Sequence, residues 1–445
     1  MADFLKVGLF FKIILKKVVM KKKLILLVFF TFTTLIKAQN TKGINGDTNW
    51  LNMWTNFNPK TTNYNEASII LNGVISADMT LKKENVYILV GTVYVASNAT
   101  LTIQAGTLIR CDTGTLTTLV ITKGAKIIAE GTETDPIIFT SNKNSGDRNP
   151  GDWGGIIVLG DAPINKSGGV GTLDFDLDPQ KAMYGGDNKD SDSGILKYVR
   201  IEFSGKKTSA NRPINGLSLA GVGSKTKLEY IQVTSSDEDS FQFYGGYVNA
   251  NNLVSMRSAD DDFDFTQGVQ CNLSNSIAIR SPFLSDSYGS RCFEMETVDT
   301  RKGEVLDSKK EMTRVNATNI TMMHTEDIGS ETEGLKHEAI LIRENTFLTL
   351  TNSVISGFSH LIIFSDTVTI SNEYLEKIIL KDLLINDTKI IGTTQNTATN
   401  SFISNWYQGK QFGIEFIKLK NDELFASSSM KKKPDFRVKS QNFNN

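Results

Sequence analysis

A unit of three short strands recurs along the middle of the chain, and this repeat constrains the fold more than any other feature. The segments NNLVSMRSADDDFDFTQG, SNSIAIRS…RCFEMET, TNITMMHT…HEAILIREN and TNSVISGFSHLIIFSD each contain an alternating strand, a polar corner and a second alternating strand. A brief further strand precedes each of them, in GYVNA, GVQCN, TRVNA and TFLTL. Units of about 22 to 25 residues cannot bury an apolar face alone and must stack on their neighbours. The chain is therefore predicted to be all-β, a right-handed parallel β-helix with three short strands per rung and a small C-terminal cap or tail.

Composition shifts divide the chain into four predicted regions. Residues 1–38 are predicted to be an N-terminal extension and secretory signal peptide, because a run of lysines precedes a short apolar stretch and Ala38. We expect a linker or N-terminal cap at 39–66, the β-helix at 67–365, and a C-terminal cap followed by a loose tail at 366–445. No stretch beyond the signal peptide approaches the length of a membrane span.

Asparagines recur at the corner before the second strand of successive units. They are Asn252, Asn275, Asn319 and Asn352. Their amides are predicted to stack as a ladder, although asparagine is also frequent in turns for local reasons.

The overall charge and the cysteine content exclude two classes of function. The chain has 48 basic and 49 acidic residues and a formal net charge of -1, so it lacks the positive field that attracts phosphate backbones. Nucleic acid is therefore not expected as a partner. Cys111, Cys271 and Cys292 are odd in number and lack metal-ligand spacing, which argues against a thiolate metal site.

Several segments resemble a known group of proteins. ATLTIQAGTLI, ITKGAKIIAEGTETDPIIFTS, GDWGGIIVLGDAPIN, LEYIQVTSSDEDSFQFYGG and DDDFDF are similar to segments of secreted bacterial β-helix proteins of the pectin-lyase-like class, most of which lack an assigned activity. The resemblance covers about residues 69–297. It implies a parallel β-helix in the periplasm, at the cell surface or outside the cell, and it says little about chemistry because a fold does not fix a function.

The stretch SADDDFDF carries the densest negative charge. Side chains alternate between the two faces of a strand, so Phe263 and Phe265 can face the core only if Asp262 and Asp264 face outward. The following unit has the same pattern in its own strand, FEME. We expect Asp262 to stack on Glu294 and Asp264 on Glu296, about 4.8 Å apart. Such a square of carboxylates needs a compensating interaction.

Three interpretations of the acidic stretch remain open. Arg257 and Arg280 end the preceding strands and could form ion pairs with the acids. Alternatively, the acids could bind calcium, which prefers six to eight oxygen ligands. The candidate ligands are Asp237, Asp239, Asp260, Asp261, Asp262 and Asp264. Catalysis by paired carboxylates is the third interpretation.

The catalytic interpretation draws on two groups of enzymes with the same shape. Pectate lyases use calcium and an arginine base within an R-x-P-x-x-R run, and the matching RSPFLS has Ser285 in place of the second arginine. Polygalacturonases have paired aspartates, which Asp261 and Asp262 resemble. Their histidine-glycine and arginine-isoleucine-lysine elements have no match in this chain.

Aromatic residues beside glycines form a second candidate site. Trp153 in GDWGG, with Tyr244 and Tyr247 in FYGGY, could stack on sugar rings. The alternative is that these glycines permit tight turns and that the rings cover the core.

Together these features predict a secreted, non-catalytic β-helix protein of the cell envelope or exterior that binds polysaccharide or another surface partner, with calcium as a candidate cofactor. The alternative is a calcium-dependent polysaccharide lyase or glycoside hydrolase. An enzyme needs a cleft with convergent acid and base groups near the acidic residues, whereas a binding scaffold can present a flat wall.

Overall fold

A computed structural model describes most of the chain from residue 42 onward. The described residues are 42–285, 289–298, 303–325, 337–388, 390–396, 400–408, 412–431 and 433–439. The predicted signal peptide lies outside the described residues.

The described residues form short strands and a few short helices. In chain order, the first strands are β1 (Ile69–Leu71), β2 (Val74–Ile75), β3 (Met79–Leu81), β4 (Val86–Leu89), β5 (Thr92–Val95), β6 (Thr100–Ile103), β7 (Leu108–Cys111), β8 (Thr118–Ile121), β9 (Lys126–Glu130), β10 (Ile137–Ser141), β11 (Gly155–Leu159), β12 (Gly171–Thr172), β13 (Met183–Tyr184), β14 (Gly194–Glu202), β15 (Leu217–Ala220), β16 (Lys227–Thr234) and β17 (Phe241–Tyr244). The next are β18 (Tyr247–Met256), β19 (Phe263–Thr266), β20 (Gln270–Ser274), β21 (Ile277–Arg280), β22 (Phe293–Met295), β23 (Arg314–Thr318), β24 (Thr321–His324), β25 (Ile340–Ile342), β26 (Phe347–Thr351), β27 (Val354–Ser356), β28 (His360–Phe364), β29 (Ile378–Lys381), β30 (Leu384–Asn386), β31 (Ile390–Thr394), β32 (Glu415–Ile417), β33 (Phe425–Ser427) and β34 (Asp435–Val438). The helices are a 3-10 turn (Pro59–Thr61), α1 (Asn372–Leu375), α2 (Asn400–Gln408) and α3 (Asn421–Leu424).

Thirty of these strands stack in parallel into three sheets, and each rung contributes one strand to each sheet. Sheet 1 contains β3, β6, β9, β20, β23, β26, β29 and the first halves of β14, β16 and β18. Sheet 2 contains β1, β4, β7, β10, β21, β24, β27, β30, β32 and the second halves of the same three long strands. Sheet 3 contains β2, β5, β8, β11, β15, β17, β19, β22, β25, β28 and β31. The predicted right-handed parallel β-helix with three strands per rung is confirmed.

The corner between sheets 1 and 2 requires a left-handed backbone. Asn252, Asn275, Asn319 and Asn352 all occupy it, with φ between 47° and 58°, a conformation that asparagine tolerates better than most residues. The corners stack through the backbone, since the N–H of Asn275 donates to the Thr318 oxygen at 3.0 Å. Two of the side chains bind the segment at the start of the described chain. The Asn275 amide donates to the Asn45 oxygen at 3.3 Å, and the Asn319 amide donates to the Gly43 oxygen at 3.2 Å.

The interior of the β-helix is filled by apolar side chains that stack in columns. Phe241 lies on Phe263 with ring centroids 5.1 Å apart, and Phe243 lies on Phe265 at 4.9 Å, both pairs nearly parallel. Phe293 closes both columns edge-on at 5.6 and 5.3 Å. The predicted inward orientation of Phe263 and Phe265 is therefore confirmed. Because side chains alternate along the strand, Asp264 lies on the outer face of sheet 3.

Both ends of the described chain pack on the outer face of sheet 2. This face carries apolar side chains such as Met256 and Ile279, and they are covered by Leu51, Trp54 and Phe436 in a second core. Residues 42–58 thus form part of a packed layer, although the sequence pattern indicated a linker or cap. The antiparallel pair β33 and β34 completes that layer from the C-terminal side.

The stacked rungs continue beyond residue 365, where the sequence pattern placed the end of the β-helix. β29, β30 and β31 each pair in parallel with the strand of the preceding rung. In this part of the chain an alternating apolar pattern in IILK and a left-handed corner at Asp382 continue the repeat. Among the described residues no helix is both long enough and apolar enough to cross a bilayer.

Truncation of one stacked ring tests the register. Phe263→Ala should lower the free energy of unfolding by about 3 to 5 kcal/mol, because it leaves a cavity between two rings. Phe283→Ala removes a ring that is 65% exposed and should change the free energy of unfolding by less than about 0.5 kcal/mol. Urea denaturation of both variants measures the difference, and equal stabilities would show that Phe263 does not occupy the core.

Candidate functional site

Three aspartates converge at the corner between sheets 2 and 3. They are Asp239, which precedes β17, and Asp260 and Asp261, which precede β19 in the next rung. One carboxylate oxygen of each lies within 4.8 Å of the others. Asp239 and Asp261 are both buried, whereas Asp260 is half-buried. We call these three residues the aspartate cluster.

The rung repeat explains why these residues meet. The segments DED and DDD precede equivalent strands, and β17 pairs with β19 so that Phe241 lies opposite Phe263. The same register places Asp239 against Asp261, whose N–H donates to Asp239 Oδ1 at 3.0 Å. The other flank of Asp261 is closed by the next rung, since the backbone N–H of Arg291 donates to its Oδ1.

Burial dominates the electrostatics of the aspartate cluster. It raises the pKa of Asp239 well above the usual range, and the negative charges of Asp260 and Asp264 raise it further. The pKa of Asp261 is likewise raised by burial and by Asp260, although Arg291 partly offsets the effect. The ionised cluster is therefore costly, and a proton or a cation bound there would stabilise it.

Asp262 does not face outward, and its predicted place in a carboxylate square is wrong. Its side chain is fully buried and forms an ion pair with Arg280 at 2.9 Å. The Ser255 hydroxyl donates to its other carboxylate oxygen. Strand β19 begins only at Phe263, so Asp262 lies in the corner, where the two-residue alternation does not apply.

The predicted stacking partner of Asp264 is wrong, because the register of β22 differs by two residues from the predicted one. Asp264 lies opposite Glu294 rather than Glu296. Two arginines offset the charge of Glu294. Arg343, from the next rung, has its Nε 2.7 Å from Glu294 Oε1, and Arg291, three residues earlier in the same rung, has its Nη1 3.7 Å from Oε2. Glu296 is buried next to Thr266, whose hydroxyl donates to it at 3.5 Å.

Asp237 lies outside the aspartate cluster. Its backbone N–H donates to the Ser204 oxygen at 3.0 Å, and its side chain lies against Gly151. Burial raises its pKa, and the charge of Lys207 partly offsets that shift. Of the six predicted metal ligands, the structure thus brings three together, places Asp264 beside them, and assigns Asp237 and Asp262 to other surroundings.

The ion-pair interpretation holds for one of the two predicted arginines. Arg280 is 2% exposed and pairs with Asp262. Arg257 is exposed and forms no ion pair with any described residue. The sequence pattern did not indicate the roles of Arg291 and Arg343, because their contacts with Glu294 depend on how the corners and neighbouring rungs pack.

Trp153 cannot bind a sugar from solvent because its ring is fully buried. Its Nε1 donates to the Glu202 oxygen at 2.8 Å, and the ring stacks on Phe139 at 6.3 Å. The glycines of GDWGG serve this packing: a Cβ at Gly155 would lie 2.1 Å from the Asn215 oxygen. The alternative that the turn and ring serve the core is therefore correct for Trp153.

Tyr244 and Tyr247 lie on different faces. Tyr244 ends β17 on the outer face of sheet 3, its hydroxyl accepts from Asn215 at 3.3 Å, and burial followed by the charge of Asp239 raises its pKa. Tyr247 begins β18 in sheet 1, where Lys189 Nζ lies 4.7 Å from its ring centroid. Trp153, Tyr244 and Tyr247 therefore do not form a single aromatic wall, and Tyr244 is the one that lies close to the aspartate cluster.

The geometry of the aspartate cluster is compatible with one bound cation. Calcium binds oxygen at 2.3 to 2.6 Å, so two ligands on opposite sides of the ion lie at most about 5 Å apart. The 4.8 Å limit on the three carboxylate oxygens is within this span. Magnesium requires shorter distances and a stricter octahedron, so calcium is the better match.

Comparison with protein families identified one match. Residues 73–423 match the family described as Pectate-lyase like beta helix domain. The match covers most of the chain and includes the aspartate cluster and the rungs beyond residue 365. Neither the curated proteins nor the solved structures gave a match.

Replacement of Arg280 and of Arg257 by alanine tests which of the two arginines forms a buried ion pair. Arg280→Ala should lower the free energy of unfolding by about 3 to 5 kcal/mol, because it leaves the Asp262 carboxylate buried without its partner. Arg257→Ala removes an exposed side chain and should change the free energy of unfolding by less than about 0.5 kcal/mol. Urea denaturation at neutral pH distinguishes them; similar small effects would contradict the buried pair.

The raised pKa of Asp261 predicts a pH dependence of stability. The folded state binds this proton more tightly than the unfolded chain, so the associated stability is complete below the unfolded pKa of about 3.9 and is lost as the pH rises through the folded value. Asn cannot titrate. In calcium-free buffer, the melting temperature of Asp261→Asn minus that of the parent should increase between about pH 4 and pH 8. A pH-independent difference would contradict the raised pKa.

Proposed function

The chain belongs to the family of pectate-lyase-like β-helix domains, and we propose that it is a secreted, non-catalytic protein that binds polysaccharide through a calcium ion held by the aspartate cluster. Family membership indicates a polysaccharide-related role. The observation that carries the proposal is the convergence of Asp239, Asp260 and Asp261 within 4.8 Å on the corner beside sheet 3. Calcium held there would supply a positive centre for the carboxylate or hydroxyl oxygens of a sugar chain.

The electrostatics of the site support a cation more than a purely structural role. Asp239 and Asp261 are buried and carry raised pKa values, and Arg291 offsets the shift of Asp261 only in part. Elsewhere in the same sheet, arginines offset the charge of the acids, as Arg343 does for Glu294. An exchangeable counterion would do the same for the aspartate cluster.

The surroundings of Arg280 favour binding over lyase chemistry. An arginine base must reach the proton on the substrate. Arg280 occupies the first position of the RSPFLS segment that resembles the lyase run, yet it is buried and paired with Asp262. Arg291 is also engaged, since its Nε donates to Glu338 at 2.8 Å. Neither guanidinium is available to a sugar in this arrangement.

Glycoside hydrolysis is a second candidate, favoured by the raised pKa values of two carboxyl groups in neighbouring rungs. A carboxylic acid that keeps its proton near neutral pH can protonate a glycosidic oxygen, while an ionised neighbour activates water. Asp239 and Asp261 could take these roles with Asp260. This function would leave the same residues in place but would not require calcium.

We also propose an exported location, which family membership and the predicted signal peptide support. The relatives of the pectin-lyase-like class that the chain resembles are secreted. The proposed location is the periplasm, the cell surface or the outside of the cell. Detection of the mature chain in the periplasmic or culture fraction tests this location, and retention of an uncleaved chain in the cytoplasm would contradict it.

Calcium should raise the melting temperature of the protein, and the aspartate cluster should account for the effect. A ligand that binds only the folded state stabilises it by about 2.7 kcal/mol at a hundredfold excess over its dissociation constant. Asp239→Asn with Asp261→Asn should abolish the response and stabilise the calcium-free protein. Asp237→Asn is the matched control, since this residue lies at the same corner outside the cluster, and it should respond as the parent does. A normal response in the double variant would contradict the site.

A glycan array probed with and without calcium tests the function itself. We expect the parent to bind acidic polysaccharides in calcium and to lose them in chelator, while Asp237→Asn behaves like the parent and the double variant does not bind. A reducing-sugar assay on each bound glycan separates the candidates. Release of new reducing ends in chelator, lost in Asp261→Asn, would establish hydrolysis and overturn the non-catalytic proposal.

A further inference from the structure

The outer face of sheet 1 carries a column of side-chain amides that are hydrogen-bonded from rung to rung. Asn249, Asn272, Asn316 and Thr349 lie directly opposite one another in successive strands. Asn272 Nδ2 donates to Asn249 Oδ1 at 2.8 Å, and Asn316 Nδ2 donates to Asn272 Oδ1 at 3.0 Å. The three asparagines are exposed, so this ladder forms on the surface.

A second polar column lies beside the first. Asn251, Ser274, Thr318 and Thr351 are also in register, and the Thr351 hydroxyl donates to Thr318 at 3.0 Å. The two columns together line a shallow recess of ≈ 320 Å³. We call this surface the amide-hydroxyl array.

The amide-hydroxyl array is uncharged over four rungs. In the second column, charged residues appear only beyond its ends, where Glu229 lies opposite Asn251 and Lys381 lies opposite Thr351. The array itself therefore provides donors and acceptors but no charged group, and the exposed Arg314 lies beside it on the same face of β23, two residues before Asn316. It also lacks the aromatic and apolar side chains that form the centre of most protein interfaces.

From this chemistry we propose that the amide-hydroxyl array binds a neutral polysaccharide chain that lies along the β-helix axis. Donors repeat about every 4.8 Å along that axis and about every 6.7 Å along each strand. An extended sugar polymer presents hydroxyl groups with a similar regular advance, one unit after another. An uncharged polyol is thus complementary to the array both in charge and in periodicity.

The ladder prepares these side chains for binding. Each amide has two N–H donors and two acceptor positions on its oxygen. Asn272 uses one donor and one acceptor in the ladder, so it retains one of each for a ligand. Because the ladder already fixes the side-chain orientation, less conformational entropy is lost on binding. This inference does not rest on the calcium proposal, since the aspartate cluster lies at a different corner.

Binding to insoluble neutral polysaccharides in the presence of a chelator tests the inference. The full protein is mixed with microcrystalline cellulose, chitin or insoluble β-1,3-glucan in EDTA, and the fraction left in solution is measured. We expect at least one of these solids to deplete the parent. Asn272→Glu with Asn316→Glu should weaken partition onto that solid by at least about tenfold, because it buries charge against a neutral chain.

Two control variants test whether the position of the added charge matters and whether the aspartate cluster is needed. Thr102→Glu places the same charge on the outer face of sheet 1 several rungs earlier and should bind as the parent does. Asp239→Asn with Asp261→Asn should also retain binding. Melting temperatures verify that every variant is folded. Failure of all three solids to retain the parent, or parent-like binding by the array variant, would overturn the inference. Binding that requires calcium would overturn it too, while leaving the calcium proposal intact.

Discussion

The stacking of each rung directly on the next is the constraint on which the rest of the structure depends. Equivalent side chains in neighbouring rungs lie about 4.8 Å apart, so each side chain must be able to pack against its equivalent in the next rung. Phenylalanines satisfy this condition inside the β-helix, as Phe241 and Phe263 show at 5.1 Å. On the outside, asparagines satisfy it by hydrogen bonding, as Asn249 and Asn272 do at 2.8 Å. Stacked carboxylates repel one another at this distance, so they require a compensating positive charge or a proton.

The charges of the acidic residues are offset in different ways. This difference distinguishes the acids that arginines pair with from those of the proposed calcium site. Asp262 lies in the corner and pairs with Arg280, whereas the charge of Glu294 is offset by Arg291 in its own rung and by Arg343 in the next rung. Both acids therefore have arginine partners within the protein, although burial still raises the pKa of Asp262. Asp239 and Asp261 instead accept backbone N–H groups and remain electrostatically costly. A site that the fold leaves costly in this way is where an external cation or proton contributes most.

Periodicity predicted the fold and the core because both depend on alternation within strands. The orientation of Phe263 and Phe265 followed from it directly. The errors fell where alternation ends or where register matters: Asp262 lies one residue before its strand, and Asp264 pairs with Glu294 because the whole strand is aligned by Phe263 on Phe293. The packing of residues 44–57 and of β33 and β34 on sheet 2 was also not predicted. Contacts between distant segments, such as that of Trp54 with Tyr230 at 6.0 Å, leave no periodic signal.

If the aspartate cluster holds calcium, anomalous diffraction from crystals grown with calcium should locate the ion. We expect an anomalous peak about 2.3 to 2.6 Å from carboxylate oxygens of Asp239, Asp260 and Asp261, with water or sugar oxygens completing the coordination. An absence of anomalous density at this corner in saturating calcium, with the three carboxyl groups hydrogen-bonded to one another, would contradict it.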